Sequence, residues 1–583
     1  MTRIFVHLSR LATGVSRFGA RHKGPLQAAA SLTAIALGFW GWMIEKPPQD
    51  INGILGNLFH TFQLITLNFP SGIDRELPWQ LQVARLAVPV VAAMATFNIL
   101  VGSITRPARL ALLPHTQGHI VVTGAEQLTE GALRQLASGG KQIVALAEDA
   151  DQDHREELEG LGLTIVEADP LRANALKALN LAGAAALFVL HEDDLTNINI
   201  AMRAIGQIGK RPDTSRPLSL VVLINNENLA TEMEAALDGL SRKHGLRYQR
   251  ICADREALRA EMKRFAPVFL KENLERPSHI LVVGLDGNWQ QTLLQLIVSA
   301  QDYPDRPPTL SIVANADEIG SLQKWREARP ELALVASIEV LPIQGHDLPR
   351  DSEATAWREA FGAPDLVVIL RDDSAAVLTA LQVRRPDCAL GIGDAPVLVR
   401  LTREDHILPS LGLLETGARK MTNLVPFGGM IRAETIARVL DRTGDERAMA
   451  LHEAYRKTYG TAENAHTPSM AAWDDLTEGM REANRSASAH TPILLASIGI
   501  RLHNGQAAPA LTEAQLARLA RIEHRRWCAD RIERGWRFGP LRDDARKIHP
   551  SLVAFDALTE AEALKDRDAV LQGLKSCVDT GHA

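Results

Sequence analysis

Cysteine, aromatic side chains and an excess of either charge are what this sequence has least of. Its four cysteines, Cys252, Cys388, Cys528 and Cys577, form no CxxC pair and are widely scattered among 583 residues. That excludes a zinc knuckle or a disulfide framework and fits reduced thiols in a cytosolic compartment. With 64 basic and 70 acidic side chains the net charge is −6, which leaves no basic footprint for a nucleic-acid partner. An intact GxGxxG is missing, and so is any grouping of nucleophile, base or metal ligands. No catalytic residue and no metal site is therefore assigned, and the chain is expected not to be an enzyme. Aromatics make up only 5% of the residues, so the places where tryptophan gathers stand out. The rest, 46% hydrophobic and 23% charged, is ordinary for a folded protein of roughly three or four domains.

The long apolar runs lie at the N-terminal end. Residues 26–44, LQAAASLTAIALGFWGWMI, and 86–104, LAVPVVAAMATFNILVGSI, carry no charge. Each has about the length a helix needs to cross ~30 Å of hydrocarbon. Trp40, Trp42 and Trp79 near their ends suit an interfacial belt. Arg3, Arg10, Arg17, Arg21 and Lys23 precede the first run, and Arg106 and Arg109 follow the second. Positive residues mark the cytoplasmic side, so residues 1–110 are expected to form a hairpin in the cell inner membrane, multi-pass, with membrane lipid as a partner and both termini cytoplasmic. Between the runs, residues 54–70 read as a short re-entrant or interfacial helix. This layout resembles the pore of two-helix cation channels, whose filter carbonyls replace the water around an ion. The comparable position here is Thr66-Leu67-Asn68-Phe69-Pro70, which makes Thr66, Asn68 and Phe69 the pore candidates. Both filter glycines are absent and Pro70 fixes its own φ, so a helix that merely packs the hairpin is the alternative. A pore of this kind needs protein around its irregular backbone, hence a homo-oligomer, a tetramer if channel-like.

From Gly118 the pattern changes to short buried-type strands alternating with helical stretches, which predicts parallel α/β layers. HIVVTG (His119–Gly124), KQIVALAED, LTIVEADP, AAALFVLHEDD and LSLVVLINNEN follow one another as strands. The succession resembles the TrkA-N or RCK family, the regulatory NAD-binding domain of potassium transport systems. Of that family's motif after the third strand, this sequence keeps Asp169 within Ala168-Asp169-Pro170-Leu171. The pattern then recurs: HILVVGLDGNWQQTLLQLI repeats strand, glycine turn and helix, and DLVVILRDD parallels LFVLHEDD. Residues 118–265 and 278–405 are read as tandem Rossmann-like copies. A dinucleotide needs glycines so that amides can approach its pyrophosphate at a helix N-terminus. Gly124 and Gly131, Gly284 and Gly287, with Glu148 for the ribose, are the candidates, although Glu126 and Glu130 place carboxylates beside the first turn. The resemblance implies NAD or an adenine nucleotide; the degenerate turns equally fit a purely structural role, and the cofactor stays unknown.

The C-terminal region sets two of the nine tryptophans, Trp527 and Trp536, inside one short charged segment. Leu476, Met480 and Ala483 share a helical face, and Thr512 with Gln515 has capping-box spacing at the start of another helix. Trp473, Arg481, Asn484 and Arg485, then His524, Trp527, Gly535, Trp536, Phe538, Gly539, Lys547, His549 and Pro550 stand in an order and spacing similar to the RyR domain, the module named after ryanodine receptors. The likeness spans about residues 445–575, a mainly α domain. Indoles at 527 and 536 offer flat faces for a base. Arg481, Arg485, Arg526 and Lys547 could hold phosphate, and Asn484 could read an adenine edge. The ligand-binding candidates are thus Trp473, Arg481, Asn484, Arg485, His524, Trp527, Trp536, Phe538, Lys547 and His549. The resemblance implies adenine-nucleotide binding; the bland reading makes the same tryptophans core and the same charges internal ion pairs.

Together these readings describe a multidomain chain: a membrane hairpin, two α/β halves and a helical sensor. The expected function is a ligand-gated channel or effector in which a nucleotide-like signal, bound by the C-terminal domain, is passed through the α/β halves to a two-helix pore. That architecture suits signal-triggered ion flux in an anti-phage response. The alternative is a non-conducting TrkA-type subunit of potassium transport.

Overall fold

The structure is a computed structural model that describes residues 30–67, 77–148, 155, 158–172, 175–208, 217–269, 276–344, 348, 351–385, 388, 390–402, 423–442, 445–500 and 509–579. The chain divides into two compact units, Met1–Thr116 with Asp149–Val166, and Gln117–Glu148 with Glu167–Ala583.

The first unit is built on helices α1 (residues 30–45), α2 (Ile51–Gln63) and α3 (Trp79–Leu112). Asp50 caps α2 by accepting the Gly53 amide at 2.8 Å. Ala34, Trp42, Leu64, Leu81, Ala84 and Val88 form the small core. Gly41 permits the close approach of α1 and α3, because a Cβ there would sit 2.8 Å from the Leu81 amide nitrogen. Trp42, expected at an interface, is instead fully buried and packs on His60 with ring centres 5.1 Å apart. Trp40 and Trp79 remain half exposed.

The two expected membrane spans are not supported. Among the described residues no helix is long and apolar enough to cross a membrane. Of the first run, residues 30–44 lie in α1, which ends at residue 45. The second run lies inside the longer α3, which also contains Arg85, Arg106 and Arg109. The re-entrant helix is realised as α2 and a 3₁₀ turn, Leu64–Thr66, followed by left-handed Leu67. Thr66 donates its hydroxyl to the Gln63 carbonyl at 3.0 Å, closing that turn. Asn68 and Phe69 lie outside the described residues.

The second unit contains two parallel sheets. Strands of the first half are β1 (Ile120–Thr123), β2 (Ile143–Ala147), β4 (Ala186–Val189), β5 (Leu218–Leu223) and β6 (Leu246–Ile251), while β3 (Thr164–Glu167) falls almost wholly in the Asp149–Val166 segment of the first unit. Within this unit the ladder runs β2-β1-β4-β5-β6, every pair parallel. Its helices are α4 (Glu130–Ser138), α5 (Asp194–Ile208), α6 (Glu227–Lys243) and α7 (Ala253–Phe269). The second half has β7 (His279–Val283), β8 (Thr309–Ala314), β9 (Ser337–Pro342), β10 (Leu366–Ile369), β11 (Val397–Arg400) and β12 (Leu424–Phe427), in the order β9-β8-β7-β10-β11-β12. That is a doubly wound order with the switch point at β7. Its helices include α8 (Trp289–Ser299), α9 (Ala316–Glu327), α10 (Asp351–Phe361) and α11 (Asp373–Val383).

Alternation explains why these strands are apolar throughout. Ile280, Val282, Leu310, Ile312 and Val368 face one cluster, while Leu281, Val283, Val313, Val367 and Ile369 face another. Both faces of a parallel sheet are covered, so no polar face is left to write into the sequence.

The segment after β12 leads through α12 (Ala433–Asp441) to the C-terminal helices α13 (Glu446–Tyr459), α14 (Glu478–Ala496), α15 (Glu513–Glu533) and α16 (Glu560–Asp579). The capping box forms as spaced: Thr512 Oγ1 accepts the Gln515 amide at 3.2 Å, and Gln515 Oε1 accepts the Thr512 amide at 2.9 Å. The first of the two sheet clusters continues without a break into Ile493, Ala496, Cys528, Ala529, Ile532 and Leu552. One apolar core therefore serves the second sheet and the C-terminal helices together.

Candidate functional site

Both dinucleotide turns are taken up by the protein itself. In the first half Gly124, at φ +74°, ends β1 so tightly that a Cβ would stand 2.5 Å from the Leu190 carbonyl carbon. The N-terminus of α4 is capped by Thr129 Oγ1, which accepts the Ala132 amide at 3.2 Å. The Thr129 amide and hydroxyl in turn donate to the Ile431 carbonyl, at 3.1 and 3.2 Å. A Cβ on Gly131 would meet the Ala433 methyl at 3.8 Å. The segment that leads into α12 thus covers the place where a pyrophosphate would lie. Glu148 is exposed just past β2, the position of a ribose-binding acid. Glu126 stands 3.9 Å from His191 Nδ1. Burial holds His191 below its ordinary range, against the pull of Glu126, Asp169 and Glu148. This crevice presents carboxylates.

In the second half, the space beside Gly284 is filled by the guanidinium of Arg371, and that beside Gly287 by Arg400. Arg371 is buried against Glu318. The Glu318 carboxylate also accepts the amides of Leu285 at 3.0 Å and Asn315 at 2.7 Å. A protein carboxylate therefore takes the amide that a phosphate would. Arg400 pairs with Asp254 at 3.0 Å, whose other oxygen accepts the Gly429 amide at 2.8 Å.

The open site lies in the C-terminal domain, where α13, α14, α15 and α16 enclose a cavity of about 320 Å³. Local sequence sets its wall. Gly535, at φ +79°, ends α15, and the chain reverses so that the Trp536 amide bonds the Arg531 carbonyl at 2.9 Å. The reversal brings Trp536 to the same wall as Trp527. His549 meets both edge-on, with ring centres 4.9 and 6.0 Å away. Arg531 lies over both indoles, at 5.4 and 5.2 Å. Among the described residues its side chain makes no hydrogen bond or salt bridge, and its Nε is buried without a partner. Burial pulls it down to about 10 against the opposing pull of Asp530.

The structure brings five of the sequence candidates to this cavity: Asn484, His524, Trp527, Trp536 and His549. Asn484 donates one amide hydrogen to the Met480 carbonyl at 2.9 Å. His524 offers a ring face only, because Nδ1 is held by Asp566 at 3.0 Å and Nε2 by the Val553 carbonyl at 2.9 Å. Burial alone would lower its pKa; the bond to Asp566 and the neighbouring Cys528 carry it up to about 10. His549 is pushed down to about 4 by burial and by Arg542 and Arg531. Its Nδ1 accepts the Ser551 amide at 3.1 Å, so the neutral ring keeps its proton on Nε2.

The other candidates lie elsewhere. Trp473 packs on Ala448 and Leu476, with Arg485 5.9 Å from its ring centre. Arg481 bonds Glu478 at 2.9 Å and the Tyr248 carbonyl at 2.9 Å; Arg485 bonds Asp445 at 2.8 Å and Glu478 at 2.8 Å. Lys547 donates to the Arg534 carbonyl at 3.1 Å, closing the end of α15. Phe538 is exposed outside the cavity. Arg526 lines the cavity yet is bound by both oxygens of Glu523, at 2.9 and 2.8 Å. Sequence reading missed Arg531. Its spacing of four from Trp527 on a helix, which sets the two side chains on one face, was the available signal.

Buried polar contacts tie this domain to both α/β halves. Glu482 meets Arg259 at 2.7 Å and Arg255 at 3.5 Å, and Arg481 donates to the Tyr248 carbonyl at 2.9 Å. Gln291 on α8 donates to Glu533 at 2.7 Å. Arg525 holds the Tyr303 and Pro304 carbonyls at 2.7 Å each. The end of α15 that carries Arg531 thus also carries Glu533 and Arg534, the groups facing the junction.

Comparison with known proteins agrees with this division. Residues 120–236 match the TrkA-N domain model, and residues 509–583 match the RyR domain model. Among solved structures the chain is similar to a GsuK channel bound to NAD, at 14% identity and a TM-score of 0.34, covering 72% of this chain and 83% of that one. A GsuK structure bound to ADP gives 15% identity and 0.31, covering 73% and 98%. A further GsuK channel gives 15% and 0.32, covering 72% and 98%. The chain carries a TrkA-N domain in its first α/β half and an RyR domain at its C-terminal end.

Proposed function

We propose that this protein is a non-enzymatic sensor whose C-terminal domain binds a nucleotide-like small molecule and whose output is the N-terminal helical unit. The observation that carries the reading is the cavity between α13 and α16, walled by two indoles, with a guanidinium that makes no salt bridge among the described residues. Ligand pockets are mostly apolar with a few well-placed polar groups, and this one has that character. The shared core and the Glu533–Gln291 and Arg525 contacts give ligand binding a route into the second α/β half. A ligand shifts a conformational equilibrium only by its differential affinity for the two states, so the coupling must pass through such contacts.

On the output side, Leu32, Trp40, Ile51, Leu55, Phe59, Phe62, Leu86, Val90 and Met94 expose apolar surface on all three N-terminal helices. A surface of this kind supports cover by lipid or by other copies of the chain, and with it the finer reading of a ligand-gated ion channel. The TrkA-N match favours the second reading, a regulatory subunit of potassium transport. The test is a thermal-stability screen of the full chain with nucleotides and cyclic dinucleotides, followed by ion flux from vesicles carrying the protein. A specific binder raises the melting temperature by mass action. No stabilisation by any nucleotide would overturn the sensor, and stabilisation without flux would favour the regulatory subunit.

A further inference from the structure

We infer that the cavity selects a nucleotide carrying a single phosphate, held by Arg531 with its base against Trp527 and Trp536, and rejects polyphosphates. This deepens the sensor reading above and rests on it. The argument is a census of the cavity's charges. Five cationic groups line it: Arg526, Arg531, Arg542, Lys565 and His524. Four of them are spent on carboxylates. Arg526 is gripped by Glu523, Arg542 by Asp544 at 2.7 and 3.1 Å, Lys565 by Glu562 at 2.7 Å, and His524 by Asp566 at 3.0 Å.

Asp530 also lines the cavity but bonds Arg534 at 3.0 and 3.1 Å, which leaves Arg531 to the aromatic rings. Asp568 is a sixth carboxylate and accepts the Tyr459 hydroxyl at 2.6 Å. Among the described residues the Arg531 guanidinium therefore makes no ion pair, and it can form the bidentate pair that a phosphate offers. Each further phosphate would bring negative charge among carboxylates with no cation left to meet it. Like charges brought close together in a partly closed site repel one another more than they do in water. The volume of about 320 Å³ is at the small end of the range for small-molecule pockets. The Nε2–H of neutral His549 and the Oδ1 of Asn484 add a donor and an acceptor toward the ligand.

The experiment is calorimetric titration of the full chain with adenosine, AMP, ADP and ATP at fixed ionic strength, on the natural sequence and on Arg531→Lys and Arg531→Gln. AMP is expected to bind best, with affinity falling about tenfold or more toward ATP, and about tenfold toward adenosine, each step roughly 1.4 kcal/mol. Arg531→Gln should bring AMP down to the adenosine level without changing adenosine, and Arg531→Lys should fall between. An unchanged melting temperature certifies each variant's fold, and adenosine binding does so independently. ATP binding as tightly as AMP would overturn the single-phosphate inference while leaving the sensor standing. Failure of all four compounds, with the folded natural protein, would remove adenine nucleotides from the sensor reading itself.

Discussion

The two α/β crevices and the C-terminal cavity solve opposite problems with the same residues. At Gly284 the molecule places a guanidinium, Arg371, and neutralises it with Glu318. At the wall of the C-terminal cavity it places another, Arg531, and leaves it resting on indole faces. In the first case charge and countercharge complete the fold; in the second the countercharge is wanting. The lesson is that the presence of arginine near a glycine turn or a tryptophan says little, and whether its hydrogen bonds are already spent says much.

The sharpest way to break the comparison is to empty the filled crevice. Arg371→Met should destabilise the chain by about 3–5 kcal/mol in denaturant unfolding, because it strands the Glu318 carboxylate among buried groups. A neutral result would mean that Arg371 fills space without completing the fold, and the contrast with Arg531 would lapse. In the open cavity the corresponding change, Trp536→Ala, removes a stacking face and should weaken AMP binding by about 1–3 kcal/mol in calorimetry. Unchanged affinity would place the ligand elsewhere.

Much of this was legible before any coordinates. The buried strands at 119–124, 279–283 and 365–369 announced parallel sheets, because only a sheet covered on both faces tolerates such runs. The capping box at Thr512 was equally plain, being local. What the sequence could not tell was partnership. Arg481 and Arg485 look as suitable for phosphate as Arg531, and only the approach of Glu478, Asp445 and the Tyr248 carbonyl removes them. Those partners come from up to 233 residues away. The apolar N-terminal runs are ambiguous in another way. Trp42 and Leu81 are hydrophobic because α1 and α3 pack on each other, and periodicity alone does not distinguish that from packing on lipid.

The subtlest difference between the two regions lies at their junction, where Glu533 is buried beside Gln291. Burial, with Glu227 adding to it and Arg255 and Arg534 opposing, pushes this carboxyl up to about 7 from an ordinary 4.5. The folded chain then holds a proton that the unfolded chain has released, so unfolding free energy should fall as pH rises from about 4.5 to about 7 and level off above. The effect expected is on the order of 1 kcal/mol, since the neighbouring charges share the shift. Glu533→Gln supplies a permanent donor–acceptor pair in place of the titrating acid, and should flatten the curve across that window. If the natural chain and the variant follow the same pH profile, Glu533 is ionised throughout. The contact from α15 to α8 would then be a fixed strut, insensitive to proton concentration, and ligand capture at Arg531 would act on the α/β half through the Arg525 contacts and the apolar core without a titrating step.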